Sequence, residues 1–279
     1  MNFIQIGTTM YSIISKVLYK RYQTKLSNFE NEFVNQLIQS RIEKLGCKTF
    51  DDYEQQFVSD SEESAILNEA LKVTYSEFFR NRFTFSMLEH SILPELMQGN
   101  SMKPSSELRF WSAACAAGQE AYSLAVLMEE LLPSFPSKIK YRIFATDISE
   151  SVLMEASNAV YPMQAMRNVM LGRIDKWFIR EKDGYTVVPE IKGHVNFSEF
   201  DLLDPELDCP PVSIFGSFDL IFCANLLFYY KKSVQKIILD KIMNCLNLKA
   251  YLVSGEAERD ILTRYGLKEV YQGSAIFKK

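Results

Sequence analysis

The stretch Leu108-Arg109-Phe110-Trp111-Ser112-Ala113-Ala114-Cys115-Ala116-Ala117-Gly118-Gln119-Glu120 decides the fold class. Its first six residues read as a short strand. The small residues that follow make a tight turn, and Leu124, Leu127, Met128 and Leu131 then lie on one face of a helix. The same unit recurs downstream. Tyr141 to Thr146 is a strand ending at Asp147, and a helix follows from Ser149. Phe218 to Cys223 is a strand, and Val234, Ile237, Ile238, Ile242 and Leu246 mark the helix after it. Ala250 to Ser254 is another strand. Near-continuous apolar strands alternating with helices predict a parallel α/β sheet. One region breaks the alternation: Trp177 to Arg180 and Tyr185 to Val188 flank Asp183-Gly184, a short-hairpin signal. It predicts a small antiparallel insertion.

Residues 1–72 read differently, as helices only. Thr8 or Thr9 can cap the first, with Met10, Ile13, Ile14, Val17 and Leu18 on one face. Ser27 or Asn28 can cap a second that carries Phe29, Phe33, Val34, Leu37, Ile38, Ile42 and Leu45 and stops at Gly46. A third begins near Thr49. The boundary is expected to be a helix through the acidic stretch Asp60 to Glu69. The expected organisation is therefore a helical domain over 1–72 and an α/β domain over 73–279, with the antiparallel insertion at about 173–199.

Composition bounds the function. The 279 residues are 47% hydrophobic and 24% charged, which excludes a disordered or low-complexity chain. With 35 acidic against 31 basic residues the net charge is −4, unlike a general nucleic-acid binder. Cys47, Cys115, Cys209, Cys223 and Cys245 are scattered, form no CxxC pair, and have only His90 and His194 beside them. No metal site and a reduced, cytoplasmic setting are expected. The opening Met1-Asn2-Phe3-Ile4-Gln5 lacks a basic n-region, so no signal peptide is expected, and no apolar stretch is long enough for membrane insertion.

Ligands of open α/β sheets bind at the carboxyl ends of the strands. Four sites lie there. The Ala113 to Glu120 turn lets a ligand approach the backbone closely, or serves only as tight strand-to-helix packing; neither GxGxxG nor GxxxxGK[ST] is present. Asp147 can accept both hydroxyls of a ribose, or cap the helix after it. Asp201-Leu202-Leu203 can receive an adenine amino group, or make a plain turn. Asn225 interrupts an apolar run through Tyr230, and a buried amide needs partners. Upstream, in Thr74-Tyr75-Ser76-Glu77-Phe78-Phe79-Arg80, two phenylalanines can anchor the segment while Arg80 points elsewhere.

Together these stretches resemble the CheR family, the chemotaxis-receptor glutamate methyltransferases. The family pattern runs N-V-T-x-F-F-R, W-S-A-x-C-x-x-G-E-E-P-Y-S, A-T-D-I, N-L-L and C-R-N-V-x-I-Y-F. Here it stands as Thr74 to Arg80, Trp111 to Ser123, Ala145 to Ile148, Asp201 to Leu203 and Cys223 to Tyr230. Gly255-Glu256-Ala257-Glu258 resembles a late G-x-S-E. The resemblance implies a Rossmann-like S-adenosylmethionine domain with a small antiparallel β-subdomain, preceded by a small all-helical N-terminal domain. It also implies site roles. Thr74, Ser76 and Arg80 hold the methionine end of S-adenosylmethionine, and Glu120 its amino group. Asp147 holds the ribose. Asp201 and Leu202 sit by the adenine, and Asn225 and Leu226 line the methyl side. Arg80 and Tyr229 flank the substrate carboxylate as the catalytic pair. No metal is implied.

The implied reaction methylates glutamate side chains of chemoreceptors, giving γ-glutamyl methyl esters and S-adenosylhomocysteine. A glutamate is already ionised near neutral pH, at a reference pKa of about 4.3, so no general base is needed. The work is alignment of a carboxylate oxygen with the methyl and the sulfonium. Several positions depart from the pattern: Asn to Thr74, Thr to Ser76, the first Glu of E-E-P-Y-S to Gln119, the Arg of C-R-N to Ala224, the Asn of N-L-L to Asp201. None removes Arg80, Asp147, Asn225 or Tyr229, and an active enzyme is expected. The family's N-terminal domain is often basic and docks on acidic receptor helices. Here residues 1–72 hold 8 basic and 10 acidic residues, and the helix from Asn28 to Leu45 has only Arg41 and Lys44 as bases. The expected partner is thus a cytoplasmic chemoreceptor helix or another signalling protein, met by a monomer and without charge steering. The alternatives are a related methyltransferase acting on another carboxylate or a small molecule, and a non-catalytic S-adenosylmethionine-binding signalling module.

Overall fold

A computed structural model describes residues 8–101, 107–135, 139–213 and 217–279. The chain divides into two units, Met1–Val73 with Phe228–Gln235, and Thr74–Leu227 with Lys236–Lys279.

In the first unit, helices α1 (Thr8–Tyr22), α2 (Asn31–Leu45), α3 (Phe50–Ser59) and α4 (Ser61–Ala70) pack around Met10, Ile14, Leu18, Val34, Ile38, Tyr53, Phe57 and Leu67. The opening segment Met1 to Gln5 and the side chains of Thr8 and Thr9, expected to cap α1, lie outside the described residues. Neither Ser27 nor Asn28 caps α2. Leu26–Asn28 is a 3-10 turn, and Glu30 stands at the N-cap without a side-chain bond. The backbone explains the late start. The Lys231 N–H donates to the Asn28 carbonyl and the Glu30 N–H to the Tyr229 carbonyl, both at 2.9 Å, and Phe29 bridges Tyr230 in antiparallel fashion. Groups committed to strand pairing cannot serve a helix. Gly46 ends α2 with φ 66°, as expected of a left-handed stop. Thr49 and Asp52 form a capping box on α3, and Asp60 caps α4. Arg41 turns inward. Its guanidinium meets the buried Glu63 carboxylate at 3.0 and 2.5 Å, and the Tyr53 hydroxyl donates to the same carboxylate at 2.9 Å. One of the two bases of α2 is therefore engaged inside the unit.

In the second unit, β1 (Glu107–Ala113), β2 (Lys140–Asp147), β3 (Val160–Pro162), β4 (Phe178–Arg180), β5 (Gly184–Val187), β6 (Val195–Glu199), β7 (Phe218–Phe222), β8 (Leu246–Val253) and β9 (Ile276–Lys278) form two sheets. The larger has the order β6-β2-β1-β7-β8-β9. All its pairs are parallel except β8–β9. The parallel sheet is thus mixed at one edge. The helix Arg259–Tyr265 has 7 residues. At about 1.5 Å per residue it climbs about 10 Å, whereas β8 at about 3.3 Å per residue covers more than twice that. The chain therefore re-enters beside the end of β8, where Val253 pairs with Ile276, and runs back. The smaller sheet, β3-β5-β4, is antiparallel. Its β4–β5 hairpin is the one that Asp183-Gly184 predicts; β3 is too short to show a pattern.

The sheet order reverses at β1, with β2 and β6 on one side and β7 and β8 on the other. In open α/β sheets the carboxyl end of the strand at such a switch point is where ligands bind. Trp111, Phe144 and Phe218 on one face and Phe110, Ile143 and Leu220 nearby are buried, so the strand ends are held by a full core.

Candidate functional site

The turn after β1 is built from left-handed residues. Ala114 has φ 57°, Ala116 47° and Gly118 83°. An L-alanine in that region costs about 1–2 kcal/mol. At Gly118 space also forbids a side chain: a Cβ would lie 2.9 Å from the Ala156 Cβ and from the Phe197 ring. Asp147, at the end of β2 and 3% exposed, fastens this turn. Its Oδ2 accepts from the Ala116 N–H at 2.9 Å and its Oδ1 from the Ser149 N–H at 3.0 Å. The helix Glu150–Asn158 has Ser149, not Asp147, at its N-cap. The carboxylate is thus held rigid at the strand end.

Glu120 stands in the first turn of the helix Gln119–Leu131, half-buried. Its Oε1 accepts from the Ser112 hydroxyl at 2.6 Å. Burial pushes the carboxyl up to about 7; the Ser112 bond opposes this, the charge of Glu258 adds to it, and that of Arg80 relieves it.

The Thr74 to Arg80 segment is anchored as its pattern predicts. Phe78 meets Tyr161 and Phe178 edge-on at 4.8 and 5.2 Å, and Phe79 meets Phe85 at 5.2 Å. Phe79 is left-handed, φ 48°, and its N–H donates to Ser123 Oγ at 3.0 Å. Arg80 is turned outward, with its guanidinium 5.3 Å from the Tyr75 ring centroid. Thr74 is exposed and Ser76 half-buried.

Glu258 shapes the loop after β7. It is fully buried, and its carboxylate accepts four backbone N–H groups: Asn225 at 2.7 Å, Leu226 at 2.7 Å, Leu227 at 2.6 Å and Gly255 at 2.8 Å. Burial pushes its carboxyl up, and these four bonds pull it back. Asn225 is left-handed, φ 61°. Its amide lies so close to Gly255 that a Cβ there would be 2.4 Å from Nδ2. Sequence reading quotes Glu258 without giving it this role. An acid in a polar run reads as exposed, and only the three-dimensional pairing shows otherwise. Ser112 and Ser123 stand within apolar stretches, where a small hydroxyl reads as packing until its partner is seen.

Asp201 follows β6, next to β2. The Phe200 N–H donates to the Asp147 carbonyl at 3.0 Å, and Asp201 Oδ1 accepts from the Leu203 N–H at 2.7 Å. The carboxylate thus also makes its own turn, and Leu202 is buried. The charges of Arg80 and Glu258 both act on Glu120, the Asn225 N–H donates to Glu258, and Asp147 and Asp201 stand at the ends of the adjacent strands β2 and β6. Tyr229 falls in the first unit, its ring 4.6 Å from that of Phe33 and its carbonyl engaged by Glu30. Among the described residues no cluster of three or more His, Cys, Asp or Glu could hold a metal ion, and no helix is long and apolar enough to cross a membrane.

Residues 74–270 match the family model described as CheR methyltransferase, SAM binding domain. A chemotaxis protein methyltransferase of Borreliella burgdorferi is 30% identical over 259 residues, 91% of this chain and 89% of that protein. Chemotaxis protein methyltransferase 1 of Pseudomonas aeruginosa is 34% identical over 194 residues, 68% of each. Among solved structures, the N-methyltransferase NodS of Bradyrhizobium japonicum with S-adenosyl-l-homocysteine is 16% identical, with a TM-score of 0.33 over 72% of this chain and 94% of that one. That likeness is too slight to add to the strand order.

Proposed function

The chain belongs to the CheR methyltransferase family, and from that premise we propose that it methylates glutamate side chains of chemoreceptors, using S-adenosylmethionine. It is an S-adenosylmethionine-dependent methyltransferase. The observation that carries the finer reading is the Glu120 carboxyl just after the β1 turn, pushed up to about 7 by burial and relieved by the charge of the exposed Arg80. One group suits a substrate carboxylate, the other a ligand ammonium.

The residues fit the cofactor. Glu120 receives its amino group, and Asp147, fixed by two backbone N–H groups, faces the ribose. Asp201 and Leu202 flank the adenine, with Thr74, Ser76 and Arg80 toward the methionine end. Asn225 and Leu226, fixed by Glu258, wall the methyl side. When bound, S-adenosylmethionine supplies a methyl group on a sulfonium. The protein's part is alignment. The guanidinium fork of Arg80 orients the substrate carboxylate without holding it so tightly that loss of its charge is opposed. No side chain need take a proton, because the carboxylate arrives ionised. Tyr229 joins Arg80 on the motif alone, as a hydroxyl steering one carboxylate oxygen. The products are a γ-glutamyl methyl ester and S-adenosylhomocysteine.

The partner follows from the same reading. Arg41 is engaged with Glu63, so it adds little positive charge to docking on a receptor through α2. Incubation with S-adenosylmethionine and chemoreceptor cytoplasmic fragments from the source cell, followed by peptide mass spectrometry, tests the proposal. A one-methylene mass increment on glutamate is expected. Increments confined to other residue types, or to small molecules, would favour another acceptor.

A further inference from the structure

The family pattern places valine where this chain has Tyr75, and Tyr75 is where Arg80 finds its support. Arg80 is exposed, and a free surface arginine samples many rotamers, with about 2 kcal/mol of entropy to lose on being fixed. Here its guanidinium lies over the Tyr75 ring, 5.3 Å from the centroid, within cation–π range. The ring is itself tied down. Its hydroxyl donates to Glu77 and accepts from Arg167 Nη2, the latter at 2.9 Å. Arg167 also pairs with Glu77, whose other oxygen accepts from Asn168 Nδ2 at 2.9 Å. Arg167 and Asn168 belong to the 3-10 helix Met163–Asn168 that follows β3. The platform under Arg80 is thus braced by the 3-10 helix that follows β3, through a hydroxyl that valine lacks.

We propose that Tyr75 is a positioning residue that holds the Arg80 guanidinium ready for its carboxylate and cofactor partners. The inference rests on the role given to Arg80 above. Losing the ring releases Arg80 to other rotamers, and an exposed cation–π contact converts to a loss of about twofold to fivefold.

The test is a cycle on the full chain. Methyl transfer to receptor fragments gives kcat and KM, and calorimetry gives S-adenosylhomocysteine affinity. Tyr75→Val should lower kcat/KM about twofold to fivefold, with an unchanged unfolding midpoint, and Tyr75→Trp should restore most of it. Tyr75→Phe, which keeps the ring and loses the brace, should fall between. Tyr75→Val should weaken S-adenosylhomocysteine binding in the presence of Arg80 and leave it unchanged in Arg80→Ala. If Arg80→Ala is inactive but Tyr75→Val turns over like the parent, the positioning role is wrong and the Arg80 role stands. Equal effects of Tyr75→Val with and without Arg80 also overturn it, since the ring then acts elsewhere. If Arg80→Ala itself turns over normally, both readings fall together.

Discussion

S-adenosylhomocysteine should bind more tightly as pH rises through neutrality, because of Glu120. Burial holds this carboxyl at about 7 in the free protein. One unit below that value about a tenth of the molecules carry the carboxylate; one unit above, about nine tenths do. If the ligand ammonium requires the carboxylate, affinity follows that fraction and gains about tenfold between about pH 6 and pH 8, or about 1.4 kcal/mol. The sign is fixed by linkage. An arriving cation lowers the pKa of Glu120, so binding releases a proton and is favoured by high pH. The ligand-free protein shows the opposite trend. Its folded state binds that proton more tightly than the unfolded chain, so its stability falls as pH rises from the ordinary value of 4.5 toward about 7. Calorimetric titration in two buffers of different ionisation enthalpy measures both quantities, and near pH 7 about half a proton should leave per ligand bound. Glu120→Gln should bind more weakly at pH 8 and lose the slope. A wild-type affinity that is flat over this range, or a Glu120→Gln variant with the same slope, would refute the assignment.

Other outcomes follow from the site. Arg80→Ala should abolish methyl transfer and Arg80→Lys should retain little, because lysine keeps the charge but not the fork; a steady-state assay that finds either near normal removes Arg80 from the mechanism. Asp147→Ala should weaken S-adenosylhomocysteine binding by losing the ribose partner and loosening the Ala116 turn, and calorimetry showing parental affinity contradicts both roles. Tyr229→Phe should lower turnover about tenfold to a hundredfold, the worth of one hydrogen bond to a charged group, with ligand affinity kept. Tyr230, stacked on Phe29 at 4.9 Å, is the rival; if Tyr230→Phe shows the loss instead, the motif register is off by one. Gly255→Ala should push the Asn225 amide out of place, and a variant that crystallises with the loop unmoved and keeps full activity would show that the close approach is not needed.

The parts of the site that lie on one short segment were legible in the sequence. Phe78 and Phe79 are buried and Arg80 is outside, as two aromatics beside one charge predict. Asp147 shows why the strand-end reading and the local reading need not compete: its carboxylate stands at the end of β2 and organises the backbone around it. What stayed hidden depends on distant pairing. Glu258 reaches back 31 to 33 residues to the Asn225 loop. The start of α2 moved because residues near Phe29 pair with a segment some two hundred positions away. The antiparallel edge strand β9 is three residues long, below the length at which alternation can be read. Arg41 counts as a base of its helix in the sequence, and its pairing with Glu63, which also accepts from Tyr53, depends on residues 22 and 10 positions apart.

The central claim is that the acceptor atom is a carboxylate oxygen. It is tested most directly by incubating the protein with tritiated S-adenosylmethionine and membranes from the source cell, then treating the labelled protein with mild alkali. A methyl ester predicts that the protein-bound label leaves as volatile methanol, and that Arg80→Ala transfers none. Label that stays on the protein through alkali, as an amine or ring methyl would, contradicts the account.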